Sequence, residues 1–375
     1  HFNAYVDKPF VFEDADKTIL ASCDKTATGN IVIPNSVITI NDNAFKNCTA
    51  LERVTLSQKL TKLGDSSFMG CSALKAISIP EGIYTIWAYT FKNCTSLERV
   101  SLPKSLIKID EAAFYECSSL SSIVIPANCA IVGAYCFKNC TSLADITLSN
   151  KMTEIREAAF YETAITTLNV PSGITKIGPY AFKNCSNLVN LNLPDTLTLI
   201  NESAFYGSAM KSLTLPDSVT RIGSYAFKGC EQLEEIDFPA NLQIIGDSAF
   251  YYCTRLTEVN LPEGLTVIEG YAFKNCSNLT EVSMPDSLTS IGASAFYACK
   301  KLESITIPAS VTRIGEYCFS QDTALKTISF MGNAPVIGSG ALNKVVARAY
   351  YPLGNASWTA EKKLHYGGTI TWIGR

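Results

Sequence analysis

The chain has 375 residues, of which 47% are hydrophobic and 17% are charged, and its formal net charge is −3. The charged fraction lies below the roughly 25% of an average domain, and the absence of any Lys/Arg-rich run argues against a nucleic-acid partner. No apolar run approaches the ~18 residues that a membrane-spanning helix requires, so the sequence predicts no membrane-spanning segment.

The first thirty residues differ from everything that follows. Residues 1–30 fit no repeat, and we expect them to be an N-terminal cap, because the terminal units of a stacked array must shield its core. The chain begins at His1 without a signal-peptide pattern, so we expect a trimmed or mature chain. A first, partial repeat begins at Ile31.

A phenylalanine then returns thirteen times at nearly constant spacing. Ten of the twelve steps between these phenylalanines are 23 residues, and the other two are 22. A fixed period of this length is typical of stacked supersecondary units, each of which touches its neighbours. The repeat phenylalanines are Phe45, Phe68, Phe91, Phe114, Phe137, Phe160, Phe182, Phe205, Phe227, Phe250, Phe273, Phe296 and Phe319.

One repeat, Leu97 to Cys117, illustrates the structure predicted for all. Val100-Ser101-Leu102 alternates apolar and polar residues, which predicts a short strand with one buried face, and Pro103 ends it. The later Ala113-Phe114 segment predicts a single helical or 3-10 turn. The sequence therefore predicts an α/β fold: a right-handed β/α solenoid of about 13 repeats, with a parallel concave sheet and short helical or 3-10 turns on the convex side.

Ten of the fourteen cysteines occupy one column, three residues after the repeat phenylalanine. Thr163, Ser208 and Asp322 interrupt the column, and the first two interruptions fall in the only two 22-residue repeats. Because cysteine and loop length change together, we expect reduced, buried thiols that fill a turn. Disulfides between stacked neighbours and a metal ladder are the alternatives. The column consists of Cys48, Cys71, Cys94, Cys117, Cys140, Cys185, Cys230, Cys253, Cys276 and Cys299.

A second period of 46 residues is superimposed on the first. Alternate repeats place Tyr two residues before the phenylalanine and Lys directly after it, as at Tyr135 and Lys138, while the others place Tyr after it, as at Tyr115. We interpret this pattern as packing with cation–π contacts on the outer face. The alternative is that the exposed aromatic residues form a stripe that binds a ligand.

The sequence offers almost no material for catalysis. The only histidines are His1 and His365, and phosphate-binding loops, nucleophile elbows and Cys-x-x-Cys pairs are missing. We therefore expect no enzyme activity, no catalytic residue, no cofactor and no metal. The Asn-Cys-Thr/Ser tripeptides, as at Asn47 and Asn93, are interpreted as by-products of the repeat rather than glycosylation acceptors.

The repeat resembles the BspA-like, or treponemal-type, leucine-rich-repeat family of bacterial surface proteins. The family pattern, roughly L-x-x-I-x-L-P-x-x-L-x-x-I-G-x-x-A-F-x-x-C, matches from about Ile31 to Phe330. The two 22-residue repeats depart from it. The resemblance implies a leucine-rich-repeat solenoid over residues 31–330, secretion or display on the bacterial cell surface, and adhesion to host or neighbouring-cell proteins. Residues 331–375 are then a C-terminal cap, with a last degenerate repeat around Leu342 and closing strands.

The concave sheet is the surface on which solenoids usually bind partners. Its predicted outward positions are small and polar, with Arg53 and Arg99 towards one end. Three successive coils carry acidic residues, namely Glu235, Asp237, Glu258 and Glu281. Solvated charges, a basic partner and a calcium-bridged contact remain open for this cluster.

The predicted function is non-catalytic extracellular binding or adhesion, with a protein or other surface macromolecule as partner. The alternative is a structural spacer of a larger surface protein whose binding domain lies elsewhere.

Overall fold

The computed structural model describes residues 5–364 and 366–375, so the two histidines lie outside it. The chain divides into two compact units, His1–Asn192 and Leu193–Arg375. Within each unit, successive coils place equivalent segments side by side as parallel strands. The fold is a parallel β-solenoid of about 15 turns with leucine-rich repeats.

The first strand ladder is formed by the alternating segment of each repeat. Ser122–Val124 pairs in parallel with Asp145–Thr147, so Ile123 stands opposite Ile146 one coil later. The central Ile123 is buried while its two strand neighbours are exposed, as the two-residue period of a strand requires. In the first unit this ladder contains Gly29–Val32, Leu51–Thr55, Ala76–Ser78, Arg99–Ser101, Ser122–Val124, Asp145–Thr147, Thr167–Asn169 and Asn190–Asn192. In the second unit it contains Ser212–Thr214, Glu235–Asp237, Glu258–Asn260, Glu281–Ser283, Ser304–Ile307, Thr327–Phe330, Val346–Tyr351 and Thr369–Gly374.

The second strand ladder is formed by the return segment. Its strands are mostly two residues long, and Lys108–Ile109 pairs in parallel with Ile131–Val132, which buries Ile109 and Val132. In the first unit the strands are Ile19–Cys23, Thr39–Ile40, Lys62–Leu63, Thr85–Ile86, Lys108–Ile109, Ile131–Val132, Glu154–Ile155 and Lys176–Ile177. In the second unit they are Leu199–Ile200, Arg221–Ile222, Ile244–Ile245, Val267–Ile268, Ser290–Ile291, Arg313–Ile314 and Val336–Ile337.

The turn that carries the phenylalanine and the cysteine, here called the Phe/Cys turn, is not helical. In the coil of Phe137, both Tyr135 and Asn139 have left-handed backbones, with φ of 58° and 62°. Two left-handed residues only four positions apart prevent a right-handed helix from forming in this turn. The expectation of helical or 3-10 turns, and with it the α/β class, was wrong. Across residues 5–364 and 366–375 the only helix is the 3-10 helix Glu361–Lys363.

The Phe/Cys turn instead directs every second N–H to the next coil. The N–H groups of Tyr135, Phe137 and Asn139 donate to carbonyls one coil later at 2.9, 2.8 and 2.8 Å. The intervening Lys138 and Cys140 donate to carbonyls three residues earlier in the same turn, both at 3.1 Å. The turns thus form a third ladder, in which these five N–H groups are paired although the segment is largely buried.

Over residues 122–283 the first ladder is hydrogen-bonded in pairs of coils, whereas four strands are joined in one sheet at each end of the ladder. Ser122–Val124 is bonded to Asp145–Thr147, and Thr167–Asn169 to Asn190–Asn192, but Asp145–Thr147 and Thr167–Asn169 belong to separate sheets. In the second unit, Glu258–Asn260 and Glu281–Ser283 form such a pair. This two-coil grouping follows the 46-residue period of the sequence.

The ends of the described chain add other strands. Tyr5–Asp7 and Phe10–Phe12 form an antiparallel pair, and Phe10–Phe12 is also antiparallel to Ile19–Cys23. At the C-terminal end, Thr369–Gly374 pairs in parallel with Val346–Tyr351. An aromatic cluster supports this end, with the Phe330 ring centroid 4.8 Å from that of Trp358 and 5.8 Å from that of Trp372.

Candidate functional site

The four acidic residues singled out from the sequence lie exposed on the first ladder of the second unit. Glu258 and Glu281 are register partners on adjacent hydrogen-bonded strands, so their backbones stand about 4.8 Å apart. Glu235 and Asp237 lie on the preceding coil with their side chains directed outward. In the part of the chain that the structure describes, no ion pair involves any of these four carboxylates.

Asp237 also lines a groove that the sequence analysis did not predict. The groove has a volume of about 640 Å³ and lies where four coils turn after the first ladder. Half-buried Phe238 contributes its apolar wall and packs edge to face on Phe250, with ring centroids 5.6 Å apart. Three further carboxylates surround it, those of Asp195, Asp217 and Glu263.

The shape and charge of this acidic groove favour a ligand with cationic and apolar groups. Uncompensated carboxylates raise the local concentration of cations, and an apolar wall adds a contact that a simple counter-ion does not use. Asp217 is partly engaged, because its Oδ1 accepts a hydrogen bond from the Ala240 N–H at 3.0 Å. Phe238 could have been noticed in the sequence, since the residue before the repeat proline is aliphatic or Met in most repeats.

Arg53 and Arg99 occupy equivalent positions of the first ladder in the first unit. Ala76 is the register partner of both, so the two exposed guanidinium side chains flank one alanine. The groove between them has a volume of about 350 Å³ and is lined mainly by small and aliphatic residues. The structure thus brings the two arginines together in the first unit and the four acidic residues together in the second.

The ten cysteines of the column are buried and unbridged, as are the other four. Every later thiol of the column donates a hydrogen bond to the carbonyl oxygen of the repeat phenylalanine in the preceding coil. Cys140 Sγ, for example, lies 3.1 Å from Phe114 O. Burial raises the pKa of these thiols, to about 12 for Cys230 and about 11 for Cys185. A thiol with a raised pKa is a poor nucleophile, because it stays protonated at neutral pH. The cysteine column therefore fills space in the core rather than acting as a reactive site.

The three interruptions of the cysteine column are also buried. Thr163 Oγ1 donates to Phe160 O at 3.0 Å. Asp322 Oδ1 accepts the Cys299 N–H at 2.8 Å, while Oδ2 has no hydrogen-bond partner in the described part of the chain. Burial raises the pKa of the Asp322 carboxyl well above its usual range.

The outer tyrosines and lysines make the cation–π contacts expected from the 46-residue period. Lys138 Nζ lies 5.6 Å from the ring centroid of Tyr135, 5.9 Å from that of Tyr115 and 4.7 Å from that of Tyr161. Each such lysine therefore links its own coil to its neighbours. The neighbouring asparagine column, as at Asn139, supplies a residue type that tolerates the left-handed backbone.

Side chains that could ligate a metal do not cluster in the described residues. Within them, no group of three or more His, Cys, Asp or Glu side chains is arranged to hold a metal ion. Nor does any helix in residues 5–364 and 366–375 have the length and apolar character to cross a membrane.

These ladders define the class of protein, a parallel β-solenoid built from leucine-rich repeats. The family model described as "BspA type Leucine rich repeat region (6 copies)" matches residues 21–129, 61–188, 107–234, 153–263 and 243–348. The chain belongs to this family. Repeat proteins of this type are typically non-catalytic.

Two solved structures share the fold. A leucine-rich repeat protein from Bacteroides ovatus is 28% identical, with a TM-score of 0.83, and the match covers 100% of this chain and 98% of that one. A leucine rich cell surface protein from Faecalibacterium prausnitzii is also 28% identical, with a TM-score of 0.56 and coverage of 88% and 95%. No curated protein sequence matches the chain.

Proposed function

We propose that this protein is a non-catalytic extracellular binding protein, secreted or displayed on a bacterial cell, that adheres to a protein of a host or neighbouring cell. The family match supports protein binding, and the similarity to a cell surface protein of Faecalibacterium prausnitzii supports a place at the cell surface. The binding site is the acidic groove together with the adjoining Glu258 and Glu281, and the partner presents a basic segment with an apolar side chain.

The observation that carries this proposal is the combination of unpaired charge with an apolar wall. Glu258 and Glu281 are forced into register on adjacent strands, where like charges repel, and a cationic partner relieves that repulsion. Phe238 gives the same partner a place to bury apolar surface beside the charges. Charge alone steers encounter, whereas buried aromatic contacts contribute most of the affinity of protein interfaces.

The proposal is tested by capture of partners from a panel of extracellular-matrix and bacterial-surface proteins. The wild-type chain is compared with Glu235/Glu258/Glu281→Gln and with a control, Glu98/Glu231/Glu303→Gln, which removes the same charge from exposed positions elsewhere. We expect the control to retain a partner that the first variant loses. Equal retention by both variants contradicts the site, and a folded protein that captures nothing from the panel favours a structural spacer.

A further inference from the structure

The first thiol of the cysteine column lies against a second thiol from the N-terminal strand. Later column thiols donate to a phenylalanine carbonyl of the preceding coil, as Cys71 does to Phe45 O at 3.1 Å. Cys48, the first of the column, instead lies 3.8 Å from the carbonyl oxygen of Asp24. Cys23 Sγ lies 3.6 Å from that same oxygen. Two sulfur atoms therefore converge on one acceptor.

Each of the two thiols also shifts the pKa of the other. A side-chain hydrogen bond between them lowers the pKa of Cys48, and the same bond, followed by burial, raises the pKa of Cys23. The pair therefore loses its first proton more easily than an ordinary thiol does and holds the second more tightly, because the two thiols share the remaining proton. Nearby Lys25 further favours the Cys48 thiolate.

Backbone hydrogen bonds hold both cysteines in place. The Cys23 N–H donates to Ala44 O at 2.8 Å, and the Cys48 N–H donates to Phe45 O at 3.0 Å. The strand Ile19–Cys23 is therefore fastened directly to the turn that carries Cys48. Cys23 is 7% exposed, whereas Cys48 is fully buried, so solvent reaches the pair from the side of Cys23.

We propose that Cys23 and Cys48 are an oxidisable dithiol that forms one disulfide and thereby locks the N-terminal strand onto the first Phe/Cys turn. The oxidant is an external disulfide, either a small molecule or a thiol–disulfide exchange protein. Cys23, the thiol that solvent reaches, passes its proton to the Cys48 thiolate as it attacks one sulfur of that disulfide, forms a mixed disulfide and releases the first thiol. Cys48 then attacks Cys23 Sγ and releases the second, so one external disulfide and two cysteine thiols become two external thiols and one internal disulfide.

Other cysteines are held in a different way. Cys129 Sγ donates to the carbonyl of Ile131 at 3.4 Å, and burial raises its pKa to about 11. Column neighbours such as Cys117 and Cys140 are each bonded to a separate carbonyl, at 3.1 Å. An external disulfide should therefore select Cys23 and Cys48 from the fourteen cysteines.

The test treats the native full-length chain with oxidised glutathione, blocks the remaining thiols by alkylation and maps the products by mass spectrometry. We expect loss of two hydrogen atoms, a single linked pair of peptides containing Cys23 and Cys48, and a raised denaturation midpoint. Cys23→Ala should abolish the link, and the matched control Cys129→Ala should leave it unchanged. Stable glutathione adducts without the link, links between other cysteines, or an unreacted wild-type chain would each overturn the proposal.

Discussion

The thiol of Cys253 donates a hydrogen bond to the backbone carbonyl oxygen of Phe227, one coil earlier, at 3.3 Å. The same carbonyl accepts the N–H of Cys230 from its own turn at 3.2 Å. Where the cysteine column is unbroken, the phenylalanine of a repeat is thus linked to two cysteines, one in its own turn and one in the next coil. The columns of the sequence are hydrogen-bonded through the core as well as packed together.

This bond sets the expected cost of replacing a column cysteine. Cys253→Ser puts a hydroxyl in place of the thiol, and Thr163 shows that a hydroxyl at this position of the column can donate to the phenylalanine carbonyl of its own turn. We expect a loss of about 1 kcal/mol in the free energy of unfolding, because a buried hydroxyl that finds a partner costs little. Urea denaturation measures it, and a loss of 3 kcal/mol or more would show that the hydroxyl lacks a partner.

The left-handed backbone of the Phe/Cys turn predicts an unusual response to glycine. Ala298 has φ of 59°, whereas Ala295, in the same turn and fully buried, does not have a left-handed backbone. In Ala298→Gly, the chain loses a methyl group and its unfolded state gains conformational entropy, and both changes lower the free energy of unfolding. Glycine also removes the left-handed strain, about 1–2 kcal/mol, and this gain offsets those losses. We expect Ala298→Gly to be neutral within about 0.5 kcal/mol and Ala295→Gly to cost at least about 1 kcal/mol. Equal losses in denaturant melts would argue against the strained turn.

Asp322 predicts a pH dependence of stability. Its pKa is raised in the folded state, so the folded chain keeps a proton that the unfolded chain releases above its ordinary value of 3.8. Its contribution to stability is therefore complete below that value and is lost as the pH rises towards the folded pKa, by up to about 1.4 kcal/mol per pH unit.

Asp322→Cys places a cysteine at this position, as in most other repeats, and removes the carboxyl whose titration lowers the stability as the pH rises. We expect the variant to gain stability over wild type as the pH is raised from 4 to 7, measured by urea denaturation at each pH. Asp322→Asn is the matched control, because it removes the titration while retaining an oxygen that can accept the Cys299 N–H. Parallel pH profiles for wild type and both variants would be inconsistent with a buried neutral carboxyl.

The sequence was a good guide where one residue type recurs in one column. The spacing of Phe45 and its equivalents predicted the stacked coils, because every coil must bury the same ring in the same place; the Phe45 and Phe68 centroids lie 4.6 Å apart. The helical turn failed as a prediction because Ala and Phe favour helix locally, while the hydrogen bonds to the next coil require left-handed residues such as Tyr135.

The candidate sites depended on contacts that no column reveals. The acidic residues could be read as an exposed cluster because their strand positions alternate. The wall formed by Phe238 arises from coils that turn beside one another, and Cys23 meets Cys48 only because the N-terminal strand packs on the first turn. Neither relation follows from the spacing of residues along the chain.

The cysteines also predict a pattern of thiol labelling. All fourteen are free and buried, so a reduced sample should react slowly in the native state and give about fourteen thiols after denaturation. Cys23, which is 7% exposed, should be labelled first. The time course of alkylation, read by peptide mapping, measures both. Rapid labelling of a central cysteine such as Cys253 would mean that the column is accessible.

The wall of the acidic groove can be tested separately from its charge. Phe238→Leu introduces an aliphatic residue of the kind found at this position in most repeats, so the fold should tolerate it. We expect roughly tenfold weaker binding of a captured partner, since an aromatic anchor contributes on the order of 1–2 kcal/mol. Calorimetric titration measures the affinity, and unchanged binding would remove Phe238 from the site.

The most direct measurement is the affinity of a captured partner as a function of salt concentration. For wild type, we expect binding to weaken as salt is raised, because free carboxylates steer a basic partner. For Glu235/Glu258/Glu281→Gln, we expect a lower affinity, a slower association rate and a flatter salt dependence, with folding unchanged. Identical affinity and salt dependence for the two proteins would contradict a binding site at these carboxylates.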